Sequence, residues 1–354
     1  MMPGPEMQNI RRALKDWYAV HKRDLPWRNT RDPYVIWLSE IILQQTRVDQ
    51  GMPYFMNFLK HFPDVHALAR APHDRIKKLW EGLGYYRRAE NLHKTAKIVV
   101  NQHDGKFPGT YKELLKLPGI GPYTAAAIAS FAYDEPVAVT DGNVYRVLSR
   151  IFHIDTAINS SAGKKLFARV AGEFLDRSNP ALHNQSIMEF GALQCVPKNP
   201  GCENCPVKNY CAAYANDAVE RLPVKIPRKA SRKRFFYYLI SMTPRGVAVR
   251  KRQNNDIWHG LYEFPGFESA GPLSEREVMD KFRKKFHIRS GTLRHVQTVK
   301  HQLTHQDLQL NFWLTGSVVQ DGRYFDYDSL QKMAFPVVLR RILDDMINIP
   351  NFDT

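Results

Sequence analysis

The carboxylate of Glu40 lies inside a nearly unbroken apolar stretch, YVIWLSEIILQQT (34–46). Among Ile36, Trp37, Ile41 and Leu43 it would lose hydration, which penalises the charged form and raises the pKa. Such a group stays protonated near neutral pH and can deliver a proton. A second carboxylate, Asp141, stands at a helix start in VTDGNVYRVLSR (139–150), where the backbone amides and the helix dipole favour a negative charge. An acid and an anion in unlike environments can break a bond that leaves positive charge behind. Each also has a plainer reading: Glu40 as a buried glutamate held by Arg28 or Arg47, and Asp141 as an ordinary helix cap.

Cys195, Cys202, Cys205 and Cys211 fall within 17 residues and are spaced C-x6-C-x2-C-x5-C. In a reducing compartment that clustering points to metal rather than disulfides. Pro197, Pro200, Gly201 and Pro206 shape one compact loop, and four thiolates in such a loop suit a cubane [4Fe–4S] cluster. Structural zinc, which usually uses two separated pairs, is the alternative metal, with disulfides behind it. In LPGIGPYT (117–124), Gly119 and Gly121 permit a tight turn and leave the amides at the following helix start unshielded. Those amides suit an anion such as a DNA phosphate, although an ordinary helix–helix turn has the same composition.

These residues need elements to hold them. Residues 7 to about 222 carry helical periodicity at 7–22, 33–47, 51–61, 65–70, 74–81, 84–101, 110–116, 122–133, 141–153, 160–175, 180–193 and 206–215. Glu40, Gln44, Gln45 and Thr46 all fall in the second of these helices. Val137–Thr140 is too short to argue for a sheet. After Leu222 the basic, proline-containing PVKIPRKASRKR suits an exposed linker. Beyond it come a β-hairpin (FFYYLISMT, a Pro-Arg-Gly turn, GVAVRKR), a helix at 274–286, strands over 292–318 and a last helix near 334–347. The expected architecture is multidomain: an all-α domain over 1–222 containing the cysteine loop (195–211), a linker over 223–233, and an α+β domain over 234–354.

The 354-residue chain carries a net charge of +16, of which +7 lies in residues 1–222 and +9 in the rest. A pI of about 9.6 suggests a polyanionic partner, most often nucleic acid. No run approaches a membrane span and the N-terminus has no apolar signal core. A cytoplasmic, intracellular chain is therefore expected, working on DNA, off the membrane and as a monomer.

Together, LPGIGPYT, VTDGNVYRVLSR and the four-cysteine spacing resemble the endonuclease III superfamily of base-excision DNA glycosylases, which has a helix-hairpin-helix fold and a [4Fe–4S] cluster. Within it, LPWRNTRDPYVIWLSEIILQQTRVDQ (25–50) and GLGYYRRAENL (82–92) are similar to the MutY-type adenine glycosylases. The resemblance covers nearly the whole chain. It implies removal of adenine mispaired with 8-oxoguanine or guanine in double-stranded DNA. It further implies that Glu40 protonates adenine and helps activate water, and that Asp141 stabilises the oxocarbenium ion, with Asn143 positioning water or Asp141. Tyr123 lines the site where bifunctional relatives carry a lysine; it cannot form a Schiff base, so water is the expected final nucleophile. Gln45 and Tyr85 would enter the vacated base stack, with Leu83 and Thr46 beside them. Trp27, Arg28 and Glu189 would hold the extruded base.

Residues 234–354 resemble the Nudix-like C-terminal domain of the same enzymes. Glu268, Arg276 and Glu277 fall at three spacings of the hydrolase motif. Tyr262 replaces a glycine, Asp280 one glutamate and Lys281 another, so no pyrophosphatase activity is expected. The family's oxidised-guanine turn, Phe-Ser-His, is here Leu303, Thr304 and His305, which keeps a hydroxyl and an imidazole but not the aromatic wedge. The alternatives are a bifunctional pyrimidine-damage glycosylase/lyase, disfavoured by Tyr123, and a catalytically silent DNA-binding iron–sulfur protein, disfavoured by the presence of both carboxylates.

Overall fold

The computed structural model describes residues 4–227, 231–253 and 256–347. It divides into two compact units, one of Met1–Arg70 with Asn91–Pro227, the other of Ala71–Glu90 with Arg228–Thr354. No helix among the described residues is long and apolar enough to cross a membrane.

The first unit is helical, and its apolar periodicities become faces. In the helix Gly142–Ile151, Val144, Val147, Leu148 and Ile151 are buried and pack with Ile10, Leu14 and Trp17 of Gly4–His21 and with Phe167, Phe174 and Phe190. The helix Pro33–Ile42 begins with Asp32, whose side chain accepts from the Tyr34 amide, and with Pro33, whose fixed φ suits a first turn. It is apolar all round, and Ile36, Trp37, Leu38, Ile41 and Ile42 are buried. This helix ends at Ile42, not at residue 47. Leu43 to Thr46 form a turn in which Gln45 takes the left-handed φ of 60°. Glu40 and Gln45 therefore do not share one rigid helix. The pattern expected over 206–215 is likewise shorter, a 3-10 turn at Lys208–Tyr210 and a single turn at Ala212–Ala215. Residues 137–140 form no strand.

The second unit is an α+β module. Its strands are β1 (Arg232–Thr243), β2 (Gly246–Lys251), β3 (Tyr262–Glu263), β4 (Gly266–Ser269), β5 (Arg294–Leu303), β6 (Gln306–Thr315) and β7 (Arg323–Phe325). The path runs β3-β2-β1-β6-β5, with β4 on β1 and β7 on β2. β1 and β6 run parallel, and the β1–β2 hairpin turns where the Pro-Arg-Gly signal lies. Alternation along β1 fills both faces. Phe236, Tyr238 and Ile240 meet Leu339, Ile342 and Leu343 of Val337–Ile347. Tyr237 and Leu239 meet Val278, Phe282 and Phe286 of Glu275–Phe286.

Ala71–Glu90, expected within a continuous helical domain, groups instead with this module. Lys77 pairs with Glu90 at 3.0 Å and its Nζ also donates to the His259 carbonyl at 3.2 Å. Tyr86 Oη donates to the Phe335 carbonyl, and the Phe335 amide donates to Glu81. The His259 and Phe335 partners lie more than 180 positions along the chain, beyond the reach of local periodicity. The linker expected over 223–233 is partly docked: the Ile158 amide donates to the Val224 carbonyl, and Asn159 bonds both backbone groups of Ile226. Residues 228–230 of that linker lie outside the described residues.

Candidate active site

Glu40 sits on the buried side of Pro33–Ile42 and lines a cavity of about 200 Å³ together with Trp27, Arg28, Thr46, Tyr123, Asp141, Asn143 and Glu189. Burial pushes the Glu40 carboxyl up to about 7; a hydrogen bond with the Tyr123 hydroxyl opposes this, Asp141 adds to it and Arg28 opposes it. Arg28, the cation weighed as a structural partner for Glu40, is turned to Glu189 instead. Tyr123, in the first turn of Pro122–Tyr133, has its own pKa raised by burial and by Glu40, so it remains a neutral phenol. Gln44, in the turn after Glu40's helix, donates to Thr124 Oγ1 and ties the two helices together.

Asp141 is the N-cap of Gly142–Ile151: Oδ1 accepts from the Val144 amide at 2.7 Å and Oδ2 from Asn143 Nδ2 at 2.9 Å. Burial raises its pKa, against the pull of these donors and of Arg146. The helix terminus favours the ion, as the sequence suggests, but burial outweighs it. Arg146 Nη2 donates to Asn143 Oδ1 and to the Gly191 carbonyl, and Nε donates to the Cys195 carbonyl. A Cβ on Gly191 would stand 2.7 Å from Asn143 Cβ, so only glycine lets the two helices approach this closely.

At the cavity's other side Glu189 is fully buried. It accepts from Arg23 N, Nε and Nη2 and from Arg28 Nη2 at 2.6–2.9 Å. Burial alone would raise its pKa, but Arg28 and Arg23 hold it at about 2. Its oxygens are already committed to the two guanidiniums, so Glu189 fixes cations at the cavity wall. Arg23 and Gln185 also line this space and were not singled out from the sequence. Gln185 lies one helical turn before Glu189 on Pro180–Leu193, and Tyr18 Oη donates to its Oε1. That i, i+4 spacing was the available signal.

The residues expected to enter a base stack divide. Gln45 is exposed, with φ 60°, and Tyr85 is 49% exposed, with φ 48°. Leu83, expected beside them, is buried. Thr46 is half-buried at the cavity edge. In the C-terminal unit, Thr304 and His305 form the exposed β5–β6 turn, and Leu303 packs against the core below. Thr304 Oγ1 hydrogen-bonds to the Tyr85 hydroxyl. The two retained Nudix carboxylates have other tasks. Glu268 accepts from Arg234, and Glu277 closes a capping box with Ser274.

In the hairpin, Gly119 has φ 77° and a Cβ there would meet Asn91 Cβ at 2.6 Å. Gly121, the N-cap of Pro122–Tyr133, has open space where its Cβ would lie, which leaves the helix start accessible. The four cysteines form no disulfides with one another and line one common cavity with Arg150. Among the described residues no three His, Cys, Asp or Glu side chains stand close enough to hold a single metal ion. The donor set there is sulfur throughout, which suits a soft metal.

Residues 38–171 match the model of the HhH-GPD superfamily base excision DNA repair proteins, and residues 237–345 that of the NUDIX domain. An adenine DNA glycosylase of Buchnera aphidicola subsp. Baizongia pistaciae is 35% identical over 85% of this chain and 85% of its own. The human adenine DNA glycosylase is 30% identical over 89% of this chain and 68% of its own. Among solved structures, a thermostable thymine-DNA glycosylase aligns with a TM-score of 0.56 at 30% identity, covering 60% of this chain and 98% of that one. Endonuclease III in a non-covalent DNA complex, at 20% identity and a TM-score of 0.51, shares the helical fold over 61% of this chain and 99% of its own. With both domains matched in order and identity sustained across them, the chain belongs to the adenine DNA glycosylase family.

Proposed function

We propose that the chain is a monofunctional adenine-specific DNA N-glycosylase, a monomer acting on duplexes in which adenine faces 8-oxoguanine or guanine. The observation that carries this is a carboxyl with a pKa of about 7, Glu40, sharing one cavity with the capped carboxylate Asp141. Adenine leaves deoxyribose poorly until its ring is protonated, and its departure builds positive charge on the sugar. Glu40 supplies the proton and Asp141 the compensating charge, held in place by Asn143. Trp27 and the Arg28–Glu189 pair bound the flipped base. Gln45 and Tyr85, exposed at turn tips, fill the stack it leaves. The hairpin amides beyond Gly119 and Gly121 bind a backbone phosphate.

The four cysteines hold a [4Fe–4S] cluster. Four sulfurs from one compact loop lining a common cavity suit a polynuclear group, whereas structural zinc usually draws on two separated pairs. The glycosylase domain is taken to run to residue 222 and the 8-oxoguanine-reading domain from 234, with Ala71–Glu90 grouping with the latter unit.

Single-turnover excision on duplexes with adenine opposite 8-oxoguanine, guanine or cytosine, with and without alkali, tests this. Excision opposite the first two and strand breaks only after alkali are expected, because Tyr123 offers no amine. Breaks without alkali at the excision rate would sink the monofunctional assignment, and equal rates opposite cytosine the mismatch selectivity. In the C-terminal turn, Thr304→Ala removes one hydroxyl. A neutral hydrogen bond is worth about 1 kcal/mol, so the preference for 8-oxoguanine over guanine should fall about fivefold. An unchanged ratio would remove Thr304 from the recognition site.

A further inference from the structure

Arg150 is in the last turn of Gly142–Ile151, the helix that Asp141 caps, and is only 1% exposed. Its Nε donates to the carbonyls of Val219 at 3.0 Å and Leu222 at 3.1 Å. Nη1 donates to the Val196 carbonyl at 2.8 Å and to Cys195 Sγ at 3.4 Å, and Nη2 to the Pro197 carbonyl at 3.1 Å. In return the Arg150 carbonyl accepts from Cys211 Sγ at 3.5 Å. One side chain thus gathers the start of the cysteine loop with its first sulfur and the segment just after the loop.

These side-chain partners are four carbonyls and one sulfur, and none is a carboxylate. A guanidinium is always charged, and a buried cation without a counter-charge costs several kcal/mol. The thiols of the same cavity lie beside it. Metal-bound thiolates there would compensate the cation. Arg146 differs, since it reaches the Cys195 carbonyl and not its sulfur.

We infer that Arg150 is a positioning residue of the sulfur site: it orients Cys195 toward the shared cavity and its charge offsets that of the thiolates, setting how firmly a cluster is retained and at what potential it works. This rests on the [4Fe–4S] reading above. Hydrogen bonds and cationic charge at cluster sulfurs stabilise the more reduced state, so their loss lowers the potential.

The full-length chain and its Arg150→Gln and Arg150→Lys variants, purified anaerobically, test this through iron content, bleaching of the absorbance near 400 nm under chelator, and midpoint potential. Arg150→Gln should bleach about tenfold faster. Its potential should fall by an amount equal to a tenfold shift in the redox equilibrium, about 59 mV for one electron. Arg150→Lys keeps the charge but loses the fork, so it should recover most of the potential while still bleaching fast. Wild-type bleaching and potential in Arg150→Gln would overturn the inference, as would a lysine variant displaced in potential as far as the glutamine one. If Arg150→Gln does not fold, the bleaching rate of Arg150→Lys decides, and a wild-type rate there overturns it. A wild-type chain without iron instead overturns the cluster reading itself. That outcome is distinct from iron-loaded variants that match an iron-loaded wild type.

Discussion

Glu40→Gln is expected to bind a mismatched duplex normally and to excise adenine at least ~10²–10⁴-fold more slowly. Glutamine keeps the shape and a hydrogen-bonding partner for Tyr123 but has no proton to give. The pH profile carries the same signature. Burial lifts the Glu40 carboxyl from 4.5 to about 7, and the protonated form is the active one. Single-turnover excision should therefore be flat below pH 7 and fall about tenfold per unit above it, and the residual rate of the variant should lack that limb.

Stability should also fall as pH rises. For a pKa raised on folding, the favourable contribution is complete below the unfolded value near 4.5 and is lost as pH rises through about 7. Above that window the buried ion costs up to about 3 kcal/mol, at about 1.4 kcal/mol per pH unit of displacement. Glu40→Gln should then be more stable than wild type at pH 8 and close to it at pH 5, as read by denaturant unfolding. A near-wild-type excision rate would make Glu40 a structural glutamate and end the proposed mechanism.

Asp141→Asn isolates charge from capping. Asparagine caps helices about as well as aspartate, so its Oδ1 can still accept from the Val144 amide and folding stability should hold within about 1 kcal/mol. What disappears is the negative charge facing the sugar cation. In a water-poor cavity such electrostatic stabilisation is commonly worth on the order of 10²–10³-fold, and that loss in single-turnover excision is expected. Asp141→Ala should add the cost of a lost cap, about 1 kcal/mol, to a similar loss of rate. An asparagine variant that unfolds normally and still excises at the wild-type rate would reduce Asp141 to the helix cap that the sequence alone also allowed.

Much of the architecture was legible along the chain because it rests on local periodicity. The apolar spacing of Val144, Val147, Leu148 and Ile151 marks one helix face, and that face is the one buried. The alternation of Phe236, Tyr237, Tyr238, Leu239 and Ile240 similarly divides between two cores. Boundaries were less legible. The apolar run through Leu43 continues past the last helical residue, and nothing in its composition announces the left-handed Gln45. Helix and turn differ there by one backbone angle, which a packed neighbour such as Thr124 helps select.

By itself the sequence determined which groups could do chemistry. Glu40 among apolar neighbours, Asp141 at a helix start, Tyr123 where an amine would make a lyase, and four cysteines in one loop are all readable in one dimension. Only the tertiary structure decided their partners. It turned Arg28 to Glu189 and left Glu40 to Tyr123, assigned Ala71–Glu90 to the C-terminal unit through Lys77 and Tyr86, and set Arg150 against Cys195. The reason is physical. Periodicity reports which face of an element is buried, but the pKa of a carboxyl and the counter-charge of a guanidinium depend on groups brought within a few ångströms from distant positions. Those contacts are fixed by packing, where each buried charge must find its partner or lose its charge.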